Sequence, residues 1–227
     1  SCFYFDIEDK SFSQGLERFA DMLSAPLFSE EAVLKERQAI EAEFSMKLKD
    51  DGRRIYQAHK ETINPEHPFA KFSVGNLQTL DDRAEQSAQQ AVQQFYLEQY
   101  SASRMTLVTV SALPLQRQEE LVMQHFMALP SHLPAKPALS VPLHQPEHLG
   151  IQLNIQPHKP THRLVLSFSL PDIQPWYQFK VISFLAHILG DEGPGSLLSL
   201  LKQQGLVNAL NAGGGIDGSN YKDFTLA

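Results

Sequence analysis

The sequence contains a single cysteine, Cys2, so it can form neither an internal disulfide nor a cysteine-rich zinc module. It also contains no apolar run long enough for a transmembrane helix. Its formal net charge is −7, which argues against a nucleic acid or an anionic membrane as partner, because both require basic patches. The 42% hydrophobic and 20% charged residues that are present are typical of a globular protein.

One stretch, HQPEH at residues 144–148, has the H-x-x-E-H form of a zinc motif. That motif requires a helix, on which two histidines four residues apart face the same metal. Pro146 removes a backbone donor in its middle and is the last of five prolines between residues 130 and 146. This composition predicts an extended linker in which His144 and His148 are two solvated side chains rather than metal ligands.

Apolar periodicity predicts an α+β protein with most of its helices before the Pro-rich segment and a strand-rich part after it. Leu16, Phe19, Ala20 and Leu23 follow helical spacing, and Ser29 is placed to cap a second, long helix. Strands are predicted where apolar residues cluster or alternate, at residues 1–7, 104–110, 150–157 and 162–170. Two more are predicted near the end of the sequence, a Gly-rich strand at residues 208–215 and another at residues 221–227.

The long helix carries three glutamates whose positions differ around its axis. Seven residues rotate a helix by about 700°, nearly two full turns, so Glu36 and Glu43 share one azimuth. They flank an apolar stripe formed by Val33, Ile40 and Phe44, whereas Glu41 points elsewhere. A carboxylate beside a buried stripe needs a partner, which spacing alone leaves open between a basic side chain, a histidine and a metal.

The chain resembles the insulinase (pitrilysin) family of zinc metallopeptidases along nearly its whole length. The resemblance is carried by ERQAIEAEF, by HPFAKFSVGNLQTL with its Gly75-Asn76 pair, and by LAHILGDEGPGSLLSLLKQQGLVNALNAGGG. It implies two consecutive insulinase-type α/β domains, each a sheet packed by helices, the first missing its start and the second its end. Their expected ranges are 1–130 for the zinc-ligand-bearing domain, 131–148 for the linker and 149–227 for the second, non-catalytic domain.

The resemblance also implies roles for the two aligned glutamates. Glu43 matches the third zinc ligand, and Glu36 matches a glutamate that supports a ligand histidine in the active site. The family's H-x-x-E-H motif precedes this helix, and no copy of it lies among the 42 residues before Glu43. A catalytic zinc needs three protein ligands, so we expect these 227 residues alone to hold no catalytic zinc and to cleave nothing.

Residues Leu210, Asn211, Ala212 and Gly213 match the family strand that pairs with substrate as an added β-strand. The implied partners are therefore peptides, together with the remaining segments of the same polypeptide or a paired subunit. A flexible glycine-rich loop is the alternative for these four residues. The compartment is not determined, with the cytoplasm or, for a protein like bacterial pitrilysin, the periplasm as the options.

Three functions are compatible with the resemblance. The first is a zinc endopeptidase that degrades peptides or small polypeptides in an enclosed chamber, and the second is a non-catalytic relative with a structural or substrate-docking role. Retention of both Glu36 and Glu43 favours the peptidase. The third is a maturation peptidase with one precursor as its substrate, which only a substrate screen would distinguish from the first.

Overall fold

The computed structural model describes all of residues 1–227, and it confirms the predicted α+β class. Seven α-helices and three strands follow one another along the chain. The helices are α1 (Phe12–Ser24), α2 (Glu30–Lys47), α3 (Asp51–Lys60), α4 (Ala88–Gln99), α5 (Leu115–Phe126), α6 (Val181–Leu189) and α7 (Leu197–Gln203), and the strands are β1 (Leu166–Leu170), β2 (Ala212–Gly218) and β3 (Tyr221–Leu226). No helix has both the length and the apolar character that crossing a bilayer would require.

The chain divides into two compact units, and the first comprises residues 1–44 and 75–137. Its core forms where α1 packs on α5, with Phe12 and Leu16 against Leu121. The predicted helical spacing of α1 is confirmed, since Leu16 and Ala20 are among its buried residues. Removing these side chains from water stabilises the unit by roughly 1.5–3 kcal/mol per large residue.

Helix α4 belongs to the same unit and begins with a complete capping box. The Ser87 hydroxyl accepts from the Gln90 backbone N–H, and the Gln90 side chain accepts in return from Ser87 N–H. These bonds satisfy two backbone donors that a helix start leaves without partners. Further along α4, the Tyr96 hydroxyl donates to the Leu23 carbonyl at 2.7 Å, which fastens α4 to the end of α1.

The second unit comprises residues 45–74 and 138–227 and contains the antiparallel sheet, in the order β1-β3-β2. Phe224 of the central strand lies opposite Phe168 of β1 on one side and Gly214 of β2 on the other. The β2–β3 register shifts between Gly214 and Asp217, as at a β-bulge. Because β3 is central, two of its adjacent residues, Asp223 and Phe224, are both buried.

The division into units differs from a simple cut along the sequence. The second unit resumes at Ala138, inside the predicted linker, but it also includes residues 45–74, which precede that linker by many residues. Periodicity did not indicate this grouping, because it depends on contacts between distant segments. The assignment of residues 1–130 and 149–227 to two insulinase-type domains stays a prediction.

Of the six predicted strands, three are confirmed: residues 162–170 contain β1, residues 208–215 contain the start of β2, and residues 221–227 contain β3. The prediction is wrong for residues 1–7, 104–110 and 150–157, which form no strand. Alternating apolar residues favour an extended backbone, but a strand also needs a hydrogen-bonded neighbour, and these segments have none. Their apolar side chains are consequently exposed, with Val108 at 77% and Val110 at 90%.

Candidate functional site

Helix α2 has one partly buried face, and Glu36 and Glu43 lie outside it. Both carboxylates are exposed, and neither forms a hydrogen bond or an ion pair. The partly buried positions recur at helical spacing on the face that these two glutamates flank: Val33, Arg37, Ile40, Glu41 and Phe44. The predicted separation of Glu41 from the other two glutamates therefore corresponds to a real difference in environment.

The partly buried face of α2 is held by the loop that follows Gly75. The Leu77 backbone N–H donates to Glu41 Oε2 at 2.8 Å. Arg37 Nη2 donates to Asp81 Oδ1 at 2.6 Å, and this hydrogen bond lowers the pKa of the Asp81 carboxyl from its ordinary value. These two contacts fix the rotation of α2 about its axis, so they also determine where Glu36 and Glu43 point.

The loop itself is a small ordered turn. Asn76 N–H donates to the Thr79 hydroxyl at 2.9 Å, and Thr79 N–H donates to Asn76 Oδ1 at 2.8 Å. Gly75 has a φ of +84°, which is the left-handed region that favours glycine. A Cβ at Gly75 would lie 2.9 Å from the Leu80 side chain, so the glycine also permits a close approach of Leu80 within the loop.

The residues of this chain do not complete a metal site around Glu43. Neither Glu43 nor Glu36 belongs to any group of three histidine, cysteine, aspartate or glutamate side chains that could share an ion. A catalytic zinc requires three protein ligands. The carboxylate of Glu43 can supply one of them, and its lack of a basic partner leaves it available for that purpose.

The H-x-x-E-H stretch does not form a helical zinc motif. Residues Pro146–His148 form a 3-10 turn, and His148 Nδ1 accepts a hydrogen bond from Gln145 N–H at 3.1 Å. The prediction that His144 and His148 are solvated is wrong, however. Both are partly buried, and the side chain of His144 is only 12% exposed. The proline content correctly predicted an extended segment. It gave no indication that the histidines of this segment are partly buried within the second unit.

The four residues expected to bind substrate lie at and before the start of β2, an edge strand with β3 on one side only. Asn211 and Ala227 exchange both backbone hydrogen bonds, at 2.7 and 2.9 Å. Along an antiparallel ladder, hydrogen-bonded pairs alternate with pairs that are not hydrogen-bonded to each other. The next residue, Ala212, therefore directs its backbone N–H and C=O away from β3, towards the open edge of the sheet. Asn211 and Gly213 instead use their backbone groups inside the sheet, while Leu210 precedes the strand.

Two family models match the chain. The model of the peptidase M16 inactive domain matches residues 88–226, and the model of insulinase, peptidase family M16, matches residues 1–66. The chain belongs to the insulinase family, peptidase family M16. The second match includes Glu36 and Glu43, and the first includes the whole sheet.

Insulinase-family relatives are similar over nearly the whole chain. Protease 3 of Escherichia coli strain K12 is 32% identical over 212 residues, which are 93% of this chain and 22% of that protein. Insulin-degrading enzyme of Bos taurus is 34% identical over 214 residues, which are 93% of this chain and 21% of that protein. This chain therefore spans about a fifth of the length of the curated relatives it matches.

Solved structures agree with this assignment. The crystal structure of pitrilysin matches 97% of this chain with a TM-score of 0.87 at 32% identity, and the match covers 24% of that protein. A peptidase M16 inactive domain from Pseudomonas fluorescens matches 96% of this chain with a TM-score of 0.65. At 20% identity the latter shows the fold alone.

Proposed function

We propose that this insulinase-family chain is part of a zinc-dependent metalloendopeptidase in which Glu43 is a zinc ligand and Glu36 supports a ligand histidine. Peptidases of this family depend on a metal ion, and zinc is our specific proposal. The observation that carries the proposal is the pair of exposed carboxylates on one side of α2, with no partner among the described residues. The opposite side of α2 is held by hydrogen bonds to the loop after Gly75.

The bound zinc would activate water for attack on a peptide bond, which is the chemistry that such an ion supplies. The contribution of this chain is the position of its carboxylates. Arg37 and Glu41 hold α2 at a fixed rotation, so Glu43 can meet a metal without first reorganising. Glu36, on the same side of the helix, would accept a hydrogen bond from a ligand histidine and orient its ring.

Peptide substrates would bind by adding a strand to the open edge of β2. Leu210, Ala212 and Gly213 lie where the peptide would begin to pair, and the outward backbone groups of Ala212 would form the hydrogen bonds. Asn211 would contribute by anchoring this end of β2 to Ala227. Main-chain pairing tolerates many side chains, which suits a peptidase of broad specificity.

The remaining part of the active unit would come from other segments of the same polypeptide or from a paired subunit. Apolar side chains of two extended segments support this proposal, since Val108 and Val110 of one are 77% and 90% exposed and Leu153 of the other is 45% exposed. Additional strands would pair with such segments and bury those side chains. The 227 residues alone would then be inactive, because the other zinc ligands lie elsewhere.

A non-catalytic, structural or substrate-docking role is the alternative for the part that contains the sheet. The match of residues 88–226 to the inactive-domain model favours it for that part. The two roles are compatible in one protein, with Glu43 supplied by the first part and substrate binding by the second. A relative without any activity would have no use for the partner-free carboxylates of Glu36 and Glu43.

The test is a measurement of zinc content and hydrolysis of quenched fluorescent peptides by a longer protein that contains this chain. Glu43→Gln is expected to remove one zinc equivalent and the activity, while Glu41→Gln retains both. If the longer protein cuts none of the peptides in a broad library, the non-catalytic role replaces the peptidase. A protein that cuts one precursor only would instead be a maturation peptidase.

A further inference from the structure

Three side chains with metal-binding atoms converge within the second unit. His59 lies near the end of α3, His144 lies in the Pro-rich segment, and Asp223 lies on the central strand β3. His144 Nε2 is 3.7 Å from Asp223 Oδ1, and His59 Nε2 is 4.0 Å from Asp223 Oδ2. One ligand atom from each of the three residues lies within 4.8 Å of the other two.

The cluster contains buried polar atoms without hydrogen-bond partners. Asp223 is 1% exposed, and its Oδ1 has no partner. Both ring nitrogens of His144 are also buried without a partner. Native proteins rarely leave such atoms unsatisfied, because each costs about 1–3 kcal/mol. The geometry therefore calls for an additional group between these side chains.

The electrostatics of the cluster favour a cation as that group. Burial lowers the pKa of His59 and of His144, so both rings are held in the neutral form that binds metals. Burial raises the pKa of the Asp223 carboxyl, because its charged form loses hydration inside the protein. A bound cation would offset that cost and accept the lone pairs of both rings.

Neighbouring residues hold the three segments in place. The Asn64 backbone N–H donates to the Leu143 carbonyl at 3.0 Å, and Asn64 Nδ2 donates to the Pro142 carbonyl at 2.9 Å. These bonds attach the Pro-rich segment directly before His144 to the chain that follows α3. Asn220, three residues before Asp223, donates to the carbonyls of Leu139 and Val141.

We propose that His59, His144 and Asp223 bind one divalent transition-metal ion, with zinc as the best match to two imidazoles and one carboxylate. Ligand atoms of a tetrahedral zinc site lie about 3.3 Å apart, so the distances here would shorten by less than ~1.5 Å on binding. Calcium and magnesium are excluded as preferred ions, because they select oxygen ligands. The fourth position would hold water.

The ion would act as a structural clamp. It would join α3, the Pro-rich segment and β3. Its ligands are far apart in the sequence, since His144 lies 85 residues after His59 and 79 residues before Asp223. None of its ligands is Glu36 or Glu43, so the site does not depend on the proposed peptidase chemistry. A structural ion that binds only the folded unit raises its stability by mass action.

The test is zinc binding by the tag-free 227-residue chain after removal of metal with a chelator. Equilibrium dialysis should give one zinc per chain, and cobalt should give the visible absorption of a tetrahedral site with nitrogen ligands. Asp223→Asn, which preserves the shape of the side chain, and His144→Gln should each weaken binding by about 100-fold or more. Glu43→Ala and His162→Gln, at an exposed histidine of the same unit, should bind zinc as the unaltered chain does.

Thermal unfolding provides a second readout that separates a lost site from a lost fold. Zinc should raise the Tm of the unaltered chain and of His162→Gln, but not that of Asp223→Asn. The metal-free Asp223→Asn chain should still unfold cooperatively, because the substitution removes a buried charge. Equal zinc affinity of the unaltered chain and Asp223→Asn would overturn the proposal, as would binding that Glu43→Ala abolishes.

Discussion

Two glutamates on one helix provide a direct contrast between a hydrogen-bonded carboxylate and an exposed one. Glu41 accepts a hydrogen bond from Leu77 N–H at 2.8 Å, whereas Glu43 is exposed and has no partner. Truncation of a hydrogen bond to a charged acceptor costs about 1–3 kcal/mol in general. Water can reach the Leu77 amide once the carboxylate is gone, so we expect the low end, about 1 kcal/mol, for Glu41→Ala.

Glu43→Ala and Glu36→Ala are the matched controls, because both replace an exposed glutamate of the same helix. Their effect on unfolding should stay within about 0.5 kcal/mol, as for most surface substitutions. For a chain of this size, 1 kcal/mol shifts the Tm by roughly 2–4 °C. Hydrogen exchange at the Leu77 amide gives a local readout, and its protection should fall in Glu41→Ala alone.

The result that would refute this reasoning is a similar destabilisation by Glu43→Ala and Glu41→Ala. In that case Glu43 would have a structural partner, and its availability as a metal ligand would have no support. Unchanged protection of the Leu77 amide in Glu41→Ala would likewise remove Glu41 as the anchor of the loop.

Two further predictions concern the loop after Gly75 and the start of α3. Gly75→Ala should destabilise by about 2–4 kcal/mol in denaturant unfolding, since it adds a clash with Leu80 to the strain of a positive φ. Gly205→Ala is the control, because Gly205 also has a positive φ, +66°, but no atom lies within 4 Å of an added Cβ. It should lower the free energy of unfolding by only about 1–2 kcal/mol, and equal losses in the two variants would contradict the clash with Leu80. The backbone N–H groups of His158 and Lys159 donate to the Asp51 carboxylate and lower its pKa in the folded protein. The stabilisation from these contacts is therefore fully present above the pKa of the unfolded chain, near 3.8, and is lost as the pH falls through the lower pKa of the folded protein. Asp51→Asn should flatten the decline of stability in that acidic range, and an unchanged pH profile would show that the contact contributes nothing.

Local patterns predicted the helices well because helices form their hydrogen bonds within a short segment. The spacing of Leu16 and Ala20 was sufficient to place α1, and the opposed azimuths of Glu41 and Glu43 follow from helix geometry alone. Strands were predicted less well, because a strand also depends on a hydrogen-bonded neighbour that a local pattern does not reveal. Residues 104–110 are apolar, as a strand requires, but no neighbouring strand pairs with them.

Long-range contacts were beyond the reach of sequence patterns. The Arg37–Asp81 pair joins residues 44 positions apart, and no local signal distinguished Arg37 from other basic residues. The cluster around Asp223 depends on three distant segments, and His144 attracted attention only through a motif that the structure does not use. The helical register of Glu41 did indicate that its environment differs from that of Glu43.

The central claim is that Glu43 is a zinc ligand of a peptidase, and metal content measured together with peptide hydrolysis tests it most directly. The longer protein that contains this chain would be compared with its Glu43→Gln and Glu41→Gln forms. We predict that Glu43→Gln loses activity and one zinc equivalent, retains any zinc that depends on Asp223, and unfolds normally. Full activity and an unchanged zinc content in Glu43→Gln would contradict the claim.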